Sequence, residues 1–436
     1  MRISKISLED MLRRREERAL RQRKLIERYG LPVACFTMNI PGDTKHTPLV
    51  ELAFREGLGQ FEASLPEAKA RELLCAPTGC EAFFAFDHDA RLVKQAAVAV
   101  EEGAAVGRLY DIDVFDSAGR KLSRGAERRC VVCDGPVYAC ARSRAHGLHE
   151  ICARVDALLF SFAAQKLAAC ARGALVAEVE ATPKPGLVDR SNRGAHRDMS
   201  IETFYASAEA LEPHFERMVR VALENWDIGP APLMAKLRAE GLDAERAMRE
   251  ATDGANAHKG AIYSTGLLLA GAAIYLRSGK PALAEAARLA SVGLSDALDA
   301  AAIAPSTHGE RVYARTGATG ARGEAAAGFP AARKAKTALD GFLAQGYSLE
   351  DAAALTLPLI MAKLDDTNVL HRGGEEGLAY AQISAARVNA LPVGERFKAL
   401  RTLDEAFIYR NLSPGGCADV LALALFMRAI GDFIEL

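Results

Sequence analysis

Residues 161–199, SFAAQKLAACARGALVAEVEATPKPGLVDRSNRGAHRDM, contain the change of pattern that decides the fold. Alanine and leucine dominate the first half of this stretch, as is typical of α-helices. The helical pattern starts near residue 149 and continues almost to the end of the chain, interrupted by turns that contain Gly or Pro. We therefore predict two domains with a boundary near residue 160: an N-terminal α+β domain (residues 1–160) and a larger all-α, Ala-rich helical domain (residues 161–436).

The second half of this stretch, residues 182–199, predicts a stiff loop with a charged site. Pro183 and Pro185 fix their own φ and disfavour helical backbone at the residue before each, so Lys184 is expected on a short extended segment. Such a lysine suits a charged ligand and its metal when carboxylate, amide and imidazole groups lie beside it. The loop supplies these groups from Asp189, Asn192, His196 and Asp198. The alternative is a helix–helix loop whose polar residues only cap helices.

The length and composition exclude several classes of protein. At 436 residues the chain is too long for one ordinary core; half its residues are hydrophobic and a quarter are charged, as in globular proteins. A net charge of −1 gives no basic field for nucleic acid. The start of the chain lacks the apolar core of a signal peptide, and the apolar run at 420–427 is too short to span a bilayer. We expect a cytoplasmic protein with no nucleic-acid or membrane partner.

Nine cysteines, an odd number spread over a long chain, argue against a disulfide scaffold. Three of them and one histidine have the spacing C-x2-C-x6-C-x5-H: Cys130, Cys133, Cys140 and His146. Three thiolates and an imidazole are a sufficient tetrahedral set for Zn²⁺, so a structural zinc site is one interpretation; a reduced cluster packed in a helix–turn segment is the other. Five further cysteines are expected to be buried small side chains or bystanders: Cys35, Cys75, Cys80, Cys170 and Cys417.

The N-terminal region alternates between helix and strand patterns. Residues 8–29 predict a charged helix whose basic face is solvated or borders a polyphosphate. Short apolar runs bounded by Pro, Gly and Asp predict strands. The predicted strands lie in residues 31–40 and 81–87, the predicted helices cover 49–58 and 91–101, and residues 107–124 predict two strands joined by a turn.

Two aspartates share one face of the first strand of that pair. Strand side chains repeat every two residues, so Asp111 and Asp113 point to the same side. Two carboxylates on one face repel each other unless a cation lies between them, and such a pair is a natural seat for Mg²⁺ that carries nucleotide phosphates. Arg108 and Arg124 flank the strand. The alternative is an exposed polar edge.

Four further polar turns interrupt the helical half: NAHKG at 256–260, THGE at 307–310 with GARGE at 320–324, DDTN at 365–368 with RGG at 372–374, and SPGG at 413–416. A Gly-rich turn that opens a helix presents free N–H groups to an anion, although each turn alone is often only a helix start. We predict that these turns converge on one cleft with the 182–199 loop. Its substrate-binding residues would be Lys184, Asn192, His196, Asn256, Lys259, His308, Arg322, Asn368, Arg372, Ser413, Gly415 and Gly416. Its Mg²⁺ ligands would be Asp189, Asp198, Asp365, Asp366 and Asp419.

In these segments the chain resembles the triphosphoribosyl-dephospho-CoA synthase family of citrate lyase maturation, over residues 161–436. The matching segments, in order, are TPKPGLVDRSNRGAH, NAHKG, THGE, GARGEAAAGFP, DDTN and SPGG with ADVLA. Ala257 and Cys417 depart from the family pattern and leave the charged groups in place. The resemblance implies that this domain joins ATP, with Mg²⁺, to 3′-dephospho-CoA through the 2′-hydroxyl of its adenosine ribose and releases adenine.

Residues 1–160 resemble the companion enzyme, the apo-citrate lyase phosphoribosyl-dephospho-CoA transferase, or holo-acyl-carrier-protein synthase. The matching stretches are EERALRQ, GRLYDIDV, LSR and RRCVVC with CARSRAH. The resemblance implies transfer of the phosphoribosyl-dephospho-CoA group to a serine of the apo acyl carrier subunit of citrate lyase, with release of pyrophosphate. The whole chain is similar to bifunctional transferases of this pathway.

The residue chemistry suits both reactions. Displacing adenine needs a base for the hydroxyl proton, stabilisation of an oxocarbenium-like centre and a triphosphate clamp. The candidates for the first two roles are His258, Glu324 and Asp366, and for the clamp Lys184, Lys259, Arg322 and Arg372. Attack of a serine on phosphorus mainly needs positioning and charge neutralisation. Asp111 and Asp113 with Mg²⁺ suit that role, together with Arg108, Arg142 and Arg144.

Two rival functions fit the same residues. A Mg²⁺-dependent hydrolase of nucleotide-ribosyl groups would have a similarly acidic cleft, with water in place of the ribose hydroxyl. A non-catalytic assembly factor for a carrier protein would need only the binding loops. The carrier belongs to citrate lyase or to the similar malonate decarboxylase system, and the N-terminal resemblance favours citrate lyase.

Overall fold

The computed structural model of the protein describes residues 3–294 and 308–436 and divides into two compact units. The first unit comprises Met1–Ala163 with Leu276–Gly279, and the second comprises Ala164–Tyr275 with Lys280–Leu436. All the described strands lie in the first unit, and helices predominate elsewhere. The prediction of an α+β part followed by an all-α part is therefore correct in outline.

The first unit is built on a four-stranded antiparallel sheet with the strand order β2-β3-β1-β4. The strands are β1 (Val33–Met38), β2 (Ala70–Ala76), β3 (Gly79–Ala85) and β4 (Tyr110–Phe115), and the helices are Leu8–Tyr29, Pro48–Ala63, Ala90–Glu102 and Val137–Ser143. The helix predicted over residues 8–29 is confirmed, as are strands within 31–40 and 81–87. The sequence does not predict β2, because this edge strand is only partly buried and carries charges.

Aromatic packing fixes the helix Pro48–Ala63 against the sheet. The Phe36 ring on β1 lies 5.2 Å from the Tyr110 ring on β4, centroid to centroid. Both rings press on Gly57, where an added Cβ would lie 2.5 Å from the Tyr110 ring and 2.8 Å from the Phe36 ring. The Tyr110 hydroxyl donates a hydrogen bond of 2.9 Å to the carbonyl of Ala53. These contacts fix the position of β4, the strand that carries Asp111 and Asp113.

Side chains of the helix Ala90–Glu102 cover the free edge of β4. The buried Lys94 donates from Nζ to the carbonyl of Ile112 at 2.9 Å, and the Ile112 N–H donates to Oε1 of Glu101 at 2.8 Å. An edge strand without such partners would be open to pairing with another chain. Glu101 also pairs with Arg128 at 2.6 Å and with Arg124 at 3.3 Å. The same carboxylate therefore binds both the edge of β4 and two arginines that follow it in the chain.

The predicted second strand after β4 is wrong. Only one bridge, between Phe115 and Lys121, continues the pairing. Asp116 accepts the N–H groups of Ala118 at 3.0 Å and Arg120 at 2.9 Å, and this closes a tight turn instead of starting a strand.

The expectation that Cys75 and Cys80 are buried small side chains or bystanders is also wrong. They are directly opposite each other in the β2–β3 pairing and form a disulfide. Antiparallel pairing brings two such Cβ atoms within bonding reach, whereas a spacing of five residues shows this only once the hairpin is known. Cys35 and Cys417 are buried as predicted, and Cys170 is partly buried.

The second unit consists of helices and turns in its described part. The helices are the second half of Leu148–Glu180, Ile201–Glu224, Pro230–Ala251, most of Lys259–Ser278, Ala282–Ala290, His308–Thr316, Gly320–Ala326, Pro330–Ala344, Leu349–Met361, Thr367–Ala390, Val393–Tyr409 and Gly415–Ile430. Among the described helices, only Lys259–Ser278 has the length and apolar composition to cross a membrane, and 78% of that apolar stretch is buried inside the protein. It is therefore a core helix in this fold.

We predict that Glu101→Gln destabilises the first unit by about 3–5 kcal/mol, because it leaves Arg124 and Arg128 without their buried counter-charge. The matched control is Glu102→Gln: its side chain is 61% exposed and its pair with Arg124 lies at the surface, so the change should cost less than about 1 kcal/mol. Calorimetric unfolding of the full chain measures both. Equal effects of the two variants would contradict the role given to Glu101.

Candidate functional site

The second unit contains a cleft of about 870 Å³ onto which the predicted polar turns open. Fifteen of the predicted site residues line it: Lys184, His196, Asn256, His258, Lys259, Arg322, Glu324, Asp365, Asp366, Asn368, Arg372, Ser413, Gly415, Gly416 and Asp419. The structure thus brings together five segments that are up to 235 residues apart in the chain, counting from Lys184 to Asp419. The His308 side chain lies outside the described residues.

Asp189 and Asn192 shape the 182–199 loop and do not line the cleft. Asp189 accepts the N–H groups of Lys184 at 3.0 Å and Ser191 at 2.7 Å. The amide of Asn192 donates to Asp404 at 2.7 Å, and Asp404 also accepts the N–H of Gly186 at 2.8 Å. The Asp189 oxygens, which the sequence predicts as metal ligands, therefore bind backbone N–H groups of the loop itself. Asp198 lies exposed beside a separate, shallower pocket.

Lys184 reaches the cleft as part of a buried ion pair. Its side chain is 1% exposed, and Nζ lies 2.6 Å from Oε1 of Glu178, which is buried as well. Burial raises the pKa of Glu178, and the neighbouring ammonium opposes that rise. The sequence predicts Lys184 as a phosphate-binding cation, but a lysine taken out of water needs a paired charge, and Glu178 supplies it.

Asp366 joins the starts of two helices. One carboxylate oxygen accepts the N–H groups of Asn368 at 2.8 Å and Val369 at 3.1 Å, which caps the helix Thr367–Ala390. The other oxygen accepts the N–H of Cys417 at 2.8 Å, in the first turn of the helix Gly415–Ile430. Burial raises the pKa of Asp366, and these N–H donors lower it. The carboxylate therefore has a structural role in addition to its place in the cleft.

Asp419 joins a third helix start to the same group. The N–H of Ala261, at the start of the helix Lys259–Ser278, donates to its carboxylate. Burial raises the pKa of Asp419 well above its usual value, and the negative charges of Glu178 and Asp366 raise it further. An added Cβ at Gly260 would lie 2.0 Å from Oδ2 of Asp419, so glycine is required for this close approach.

His258 presents an unpartnered ring nitrogen in the cleft. Its Nδ1 lies 2.7 Å from the Ser207 hydroxyl, and its buried Nε2 has no hydrogen-bond partner among the described residues. Burial, together with the charge of Lys184, lowers the pKa of His258 to about 3. The imidazole is therefore neutral near pH 7 and can donate or accept one hydrogen bond to a ligand.

Two of the cations predicted to hold the triphosphate already bind other groups of the protein. Lys259 pairs with Glu245 at 2.8 Å. Arg372 donates to the carbonyl of Ala195 at 3.0 Å and to Asn411 at 3.1 Å. The sequence misses the cleft cations Arg238, Arg249 and Arg311 and the anions Glu178 and Glu245, because no local motif distinguishes these helical residues from surface charges.

Glu324 and His196 are fixed by neighbouring groups. Glu324 accepts the N–H groups of Ala331 at 2.6 Å and Ala332 at 3.1 Å and so caps the helix Pro330–Ala344. The Nε2 of His196 lies 2.8 Å from the Ser413 hydroxyl, and burial lowers the pKa of His196 to about 4. Both side chains line the cleft, but their polar atoms already serve the fold.

In the first unit, Asp111 and Asp113 lie on one face of β4, as predicted, while Tyr110, Ile112 and Val114 are buried on the other. Each carboxylate has a cationic neighbour. Asp113 lies 2.6 Å from Nζ of Lys121, and Asp111 lies 3.5 Å from Arg128. The edge is therefore a mixed-charge surface of two acids with basic side chains around them.

The arginines predicted to serve these aspartates lie elsewhere. Arg108 donates to the carbonyl of Cys130 at 2.7 Å and pairs with Asp134 at 2.7 Å. Arg142 is on the short helix Val137–Ser143 and Arg144 directly follows it; both are exposed. The ligand atoms of the predicted zinc set, in contrast, all lie within 4.8 Å of one another. Within the described side chains, the predicted Mg²⁺ ligands form no group of three at that spacing.

Comparison with known protein families matches both parts of the chain. Residues 164–434 match the family model "CitG: ATP:dephospho-CoA triphosphoribosyl transferase", and residues 6–162 match "CitX: Apo-citrate lyase phosphoribosyl-dephospho-CoA transferase". A curated relative from Haemophilus influenzae, "Protein CitXG", is 36% identical over 97% of this chain and 96% of its own length. The chain belongs to the CitXG family.

Two further relatives agree with this CitXG assignment. "Protein CitXG" from Leuconostoc mesenteroides is 30% identical over 98% of both chains. The "2-(5''-triphosphoribosyl)-3'-dephosphocoenzyme-A synthase" from Pectobacterium atrosepticum is 42% identical and covers 57% of this chain and 84% of its own length. The CitG match begins at residue 164, where the second compact unit also begins.

We predict that His258 makes the second unit sensitive to acid. Because the pKa of His258 is near 3 in the folded chain, the unfolded chain alone takes up a proton at this residue as pH falls below about 6.5. The stability that comes from keeping His258 neutral in the folded chain is complete above pH 6.5, and it is lost as pH falls toward 3. Between pH 7 and pH 4 the parent should lose about 3 kcal/mol more unfolding free energy than His258→Asn.

The single tryptophan, Trp226, lies in the second unit, so denaturant unfolding followed by its fluorescence measures this difference. His149→Asn, at an exposed histidine, is the control and should keep the parent's slope with pH. An unchanged slope in His258→Asn would mean that this imidazole is protonated normally in the folded protein.

Proposed function

We propose that the second unit transfers the triphosphoribosyl group of ATP to the 2′-hydroxyl of the adenosine ribose in 3′-dephospho-CoA. The bond between C1′ of ATP and adenine breaks, a bond from C1′ to the 2′-oxygen forms, and the hydroxyl proton is balanced by the proton that the departing adenine takes up. The observation that supports this most is the match of residues 164–434 to a family described by this transfer. The cleft, with its buried acids, cations and helix starts, suits a polyanionic substrate pair.

The first unit then uses the product. A serine hydroxyl of the apo acyl carrier subunit of citrate lyase attacks the phosphorus next to the ribose, the bond to the outer two phosphates breaks, and pyrophosphate leaves. The match of residues 6–162 to the apo-citrate lyase transferase family supports this step. We also propose that the protein acts in the cytoplasm, as its sequence predicts.

We assign the role of general base in the first transfer to Asp419. A carboxyl with a raised pKa is better matched to proton transfer near neutral pH than an ordinary aspartate. The other two acids that the sequence proposes for this step, Asp366 and Glu324, already accept two or three backbone N–H groups each. Asp419 lies beside Gly260, and the N–H of Ala261 donates to its carboxylate, which would orient that group toward the ribose hydroxyl.

His258 would orient a substrate. Its pKa near 3 makes the imidazole a weak base, but the unpartnered Nε2 is well suited to one hydrogen bond with a ribose hydroxyl or a base nitrogen. Ser207 fixes the ring from the other side. Leaving Nε2 buried and unpaired is costly, so a bound substrate that pairs with it gains affinity.

The triphosphate would be held by the helix starts and by cations at the mouth of the cleft. The helices that begin at Lys259, Thr367 and Gly415 direct their positive ends toward it. Lys259 is half-exposed, and its bond to Glu245 lies at the surface, so it can exchange that partner for a phosphate. Such a clamp stabilises charge without covalent chemistry.

The cleft also fits a magnesium ion bound with ATP. Mg²⁺ commonly uses one or two protein carboxylates together with substrate phosphates and water, so it does not require three converging acids. Asp365 and Asp366 would hold it. The charges of Glu178 and Asp366 raise the pKa of Asp419, and a cation in the cleft would relieve that repulsion. When bound, Mg²⁺ neutralises charge on the triphosphate.

In the first unit we propose that Asp111 and Asp113 lie next to the pyrophosphate as it leaves. They are the outward-facing acids of β4, and Lys121 and Arg128 lie beside them. A Mg²⁺ ion held by these two acids would neutralise the leaving pyrophosphate, and the exposed Arg142 and Arg144 are available for the substrate phosphates.

We predict that Asp419→Asn lowers adenine release from ATP and dephospho-CoA by 10²-fold or more, the order of magnitude expected for loss of a general base. The asparagine oxygen can still accept the Ala261 N–H, so the helix start stays in place. Chromatography of adenine measures the loss, and Asp340→Asn, outside the cleft, is the control. Release at the parent rate would mean that Asp419 only caps its neighbouring helix.

We predict that Asp111→Asn and Asp113→Asn separate the two activities. Both variants should release adenine at the parent rate and accumulate the triphosphoribosyl intermediate. Transfer to the carrier serine should fall by about 10²-fold or more, because charge on the leaving pyrophosphate is no longer neutralised. Asp87→Asn, at an exposed acid of the same unit, is the control.

Mass spectrometry of the intermediate and of the carrier subunit follows both steps. Normal carrier modification in the Asp111 and Asp113 variants would make the pair only a polar strand edge. Loss of adenine release in either variant would contradict the division of labour between the two units.

A further inference from the structure

Three sulfur atoms and one nitrogen atom that could bind a metal lie close together in the segment that follows β4. The Sγ atoms of Cys130, Cys133 and Cys140 and a ring nitrogen of His146 all lie within 4.8 Å of one another. The Cys133 and Cys140 sulfurs are 3.5 Å apart and are not bonded. In a tetrahedral site with metal–sulfur bonds of about 2.3 Å, the ligand sulfurs would be about 3.8 Å apart.

The backbone is folded to present these atoms. The N–H of Cys130 donates to the carbonyl of Gly135 at 2.7 Å, and the N–H of Asp134 donates back to the carbonyl of Cys130 at 3.0 Å. Asp134 has a φ of 60°, in the left-handed region, which closes a tight turn with both thiols on it. Cys130 is buried at the base of this turn, 5% exposed.

The helix after the turn supplies the other two ligands. Cys140 lies in the middle of the helix Val137–Ser143, which Arg144 ends with a φ of 50°. The N–H of Ala145 then donates to the carbonyl of Cys140 at 3.0 Å, so the chain folds back and brings His146 beside the thiols. Arg144 ends its helix in the left-handed region, as helix caps commonly do, whereas a positive φ at Asp134 is less common and a bound metal would help maintain it.

His146 has the arrangement of a metal-binding imidazole. Its Nδ1 lies 3.4 Å from the carboxylate of Glu150, while its buried Nε2 has no hydrogen-bond partner within residues 3–294 and 308–436. Histidines that bind metals usually direct the second ring nitrogen to a carboxylate, carbonyl or water. Without a metal the ring would interact with the Cys133 thiol, which is a weak hydrogen-bond partner.

This segment has little hydrophobic core of its own. The helix Val137–Ser143 buries none of its residues, and Tyr138 on it is 64% exposed. Small segments that cannot bury enough apolar surface are commonly held by disulfides or by a metal. The three cysteines here are free thiols, so a metal is the remaining cross-link.

We propose that Cys130, Cys133, Cys140 and His146 bind one structural Zn²⁺ ion tetrahedrally, with release of the thiol protons on binding. The three sulfurs and one nitrogen match the ligand preference of Zn²⁺, and their close spacing leaves no room for a multinuclear iron–sulfur cluster. The site holds in place the turn whose Cys130 carbonyl and Asp134 carboxylate bind Arg108, and the short helix with Arg142. This inference is independent of the proposed transfers.

Metal analysis of the full-length protein, purified under reducing conditions without added metal or chelator, tests the proposal. We expect about one zinc per chain. Cys133→Ser and Cys140→Ser should each lose it. The double variant Cys75→Ser, Cys80→Ser and the single variant Cys170→Ser should keep it, which separates this site from the other cysteine group near His46.

Cobalt replacement in the parent keeps the test valid if the cysteine variants do not fold. Co²⁺ bound here should give the intense visible bands of tetrahedral coordination and a thiolate charge-transfer band, and Zn²⁺ should displace it. A parent chain that has all its thiols reduced but binds neither zinc nor tetrahedral cobalt would overturn the proposal. So would zinc that is lost from the Cys75 and Cys80 variant but kept by Cys133→Ser.

Discussion

Two aspartates, the buried Asp366 and the partly buried Asp419, join helix starts where the cleft of the helical unit opens. Asp366 accepts N–H groups from the starts of two helices, and Asp419 accepts one from the start of a third. Each bond satisfies a backbone group that has no partner inside its own helix, and each places a negative charge at a positive helix end. Glu178, which is paired with Lys184, and Asp366 both raise the pKa of Asp419 through their negative charge. We propose that the cleft accepts a proton or a cation at this point, and that the same carboxylates that join the helix starts take part in the reaction.

In the first unit, buried charged side chains bind the backbone at the edge of a strand. Glu101 and Lys94 occupy the backbone groups at the edge of β4, so no further strand extends the sheet there. The outer face of β4 stays open, and its two aspartates remain accessible beside Lys121 and Arg128. In one unit carboxylates lie inside the cleft that we propose as the reactive centre, and in the other a buried carboxylate at the edge of β4 leaves the two proposed site acids at the surface. This difference suits a small-molecule transfer in a cleft and a transfer to a serine on a protein partner.

The features predicted from sequence are those that local rules decide. Strand alternation places Asp111 and Asp113 on one face, and the five polar turns are visible because Gly, Pro and capping residues mark helix starts. The contacts that no local rule decides were missed: Asp404 accepts the N–H of Gly186, 218 residues away, and the Cys75–Cys80 disulfide depends on the pairing of β2 with β3. Lys184 shows the limit most clearly. Its proline-flanked position is evident in the sequence, but the partner that neutralises it, Glu178, resembles any other helical glutamate until the helix and the loop are packed together.

The central claim is that the acidic cleft directs a ribose hydroxyl, not water, at the ribosyl carbon of ATP. Reaction of the full-length protein with ATP and dephospho-CoA in H₂¹⁸O, followed by mass spectrometry, tests it most directly. We expect one adenine for each product molecule, a product mass equal to the two substrates less adenine, and no ¹⁸O in that product. Free ribose triphosphate carrying ¹⁸O, formed at the rate of adenine release, would show instead that water is the acceptor.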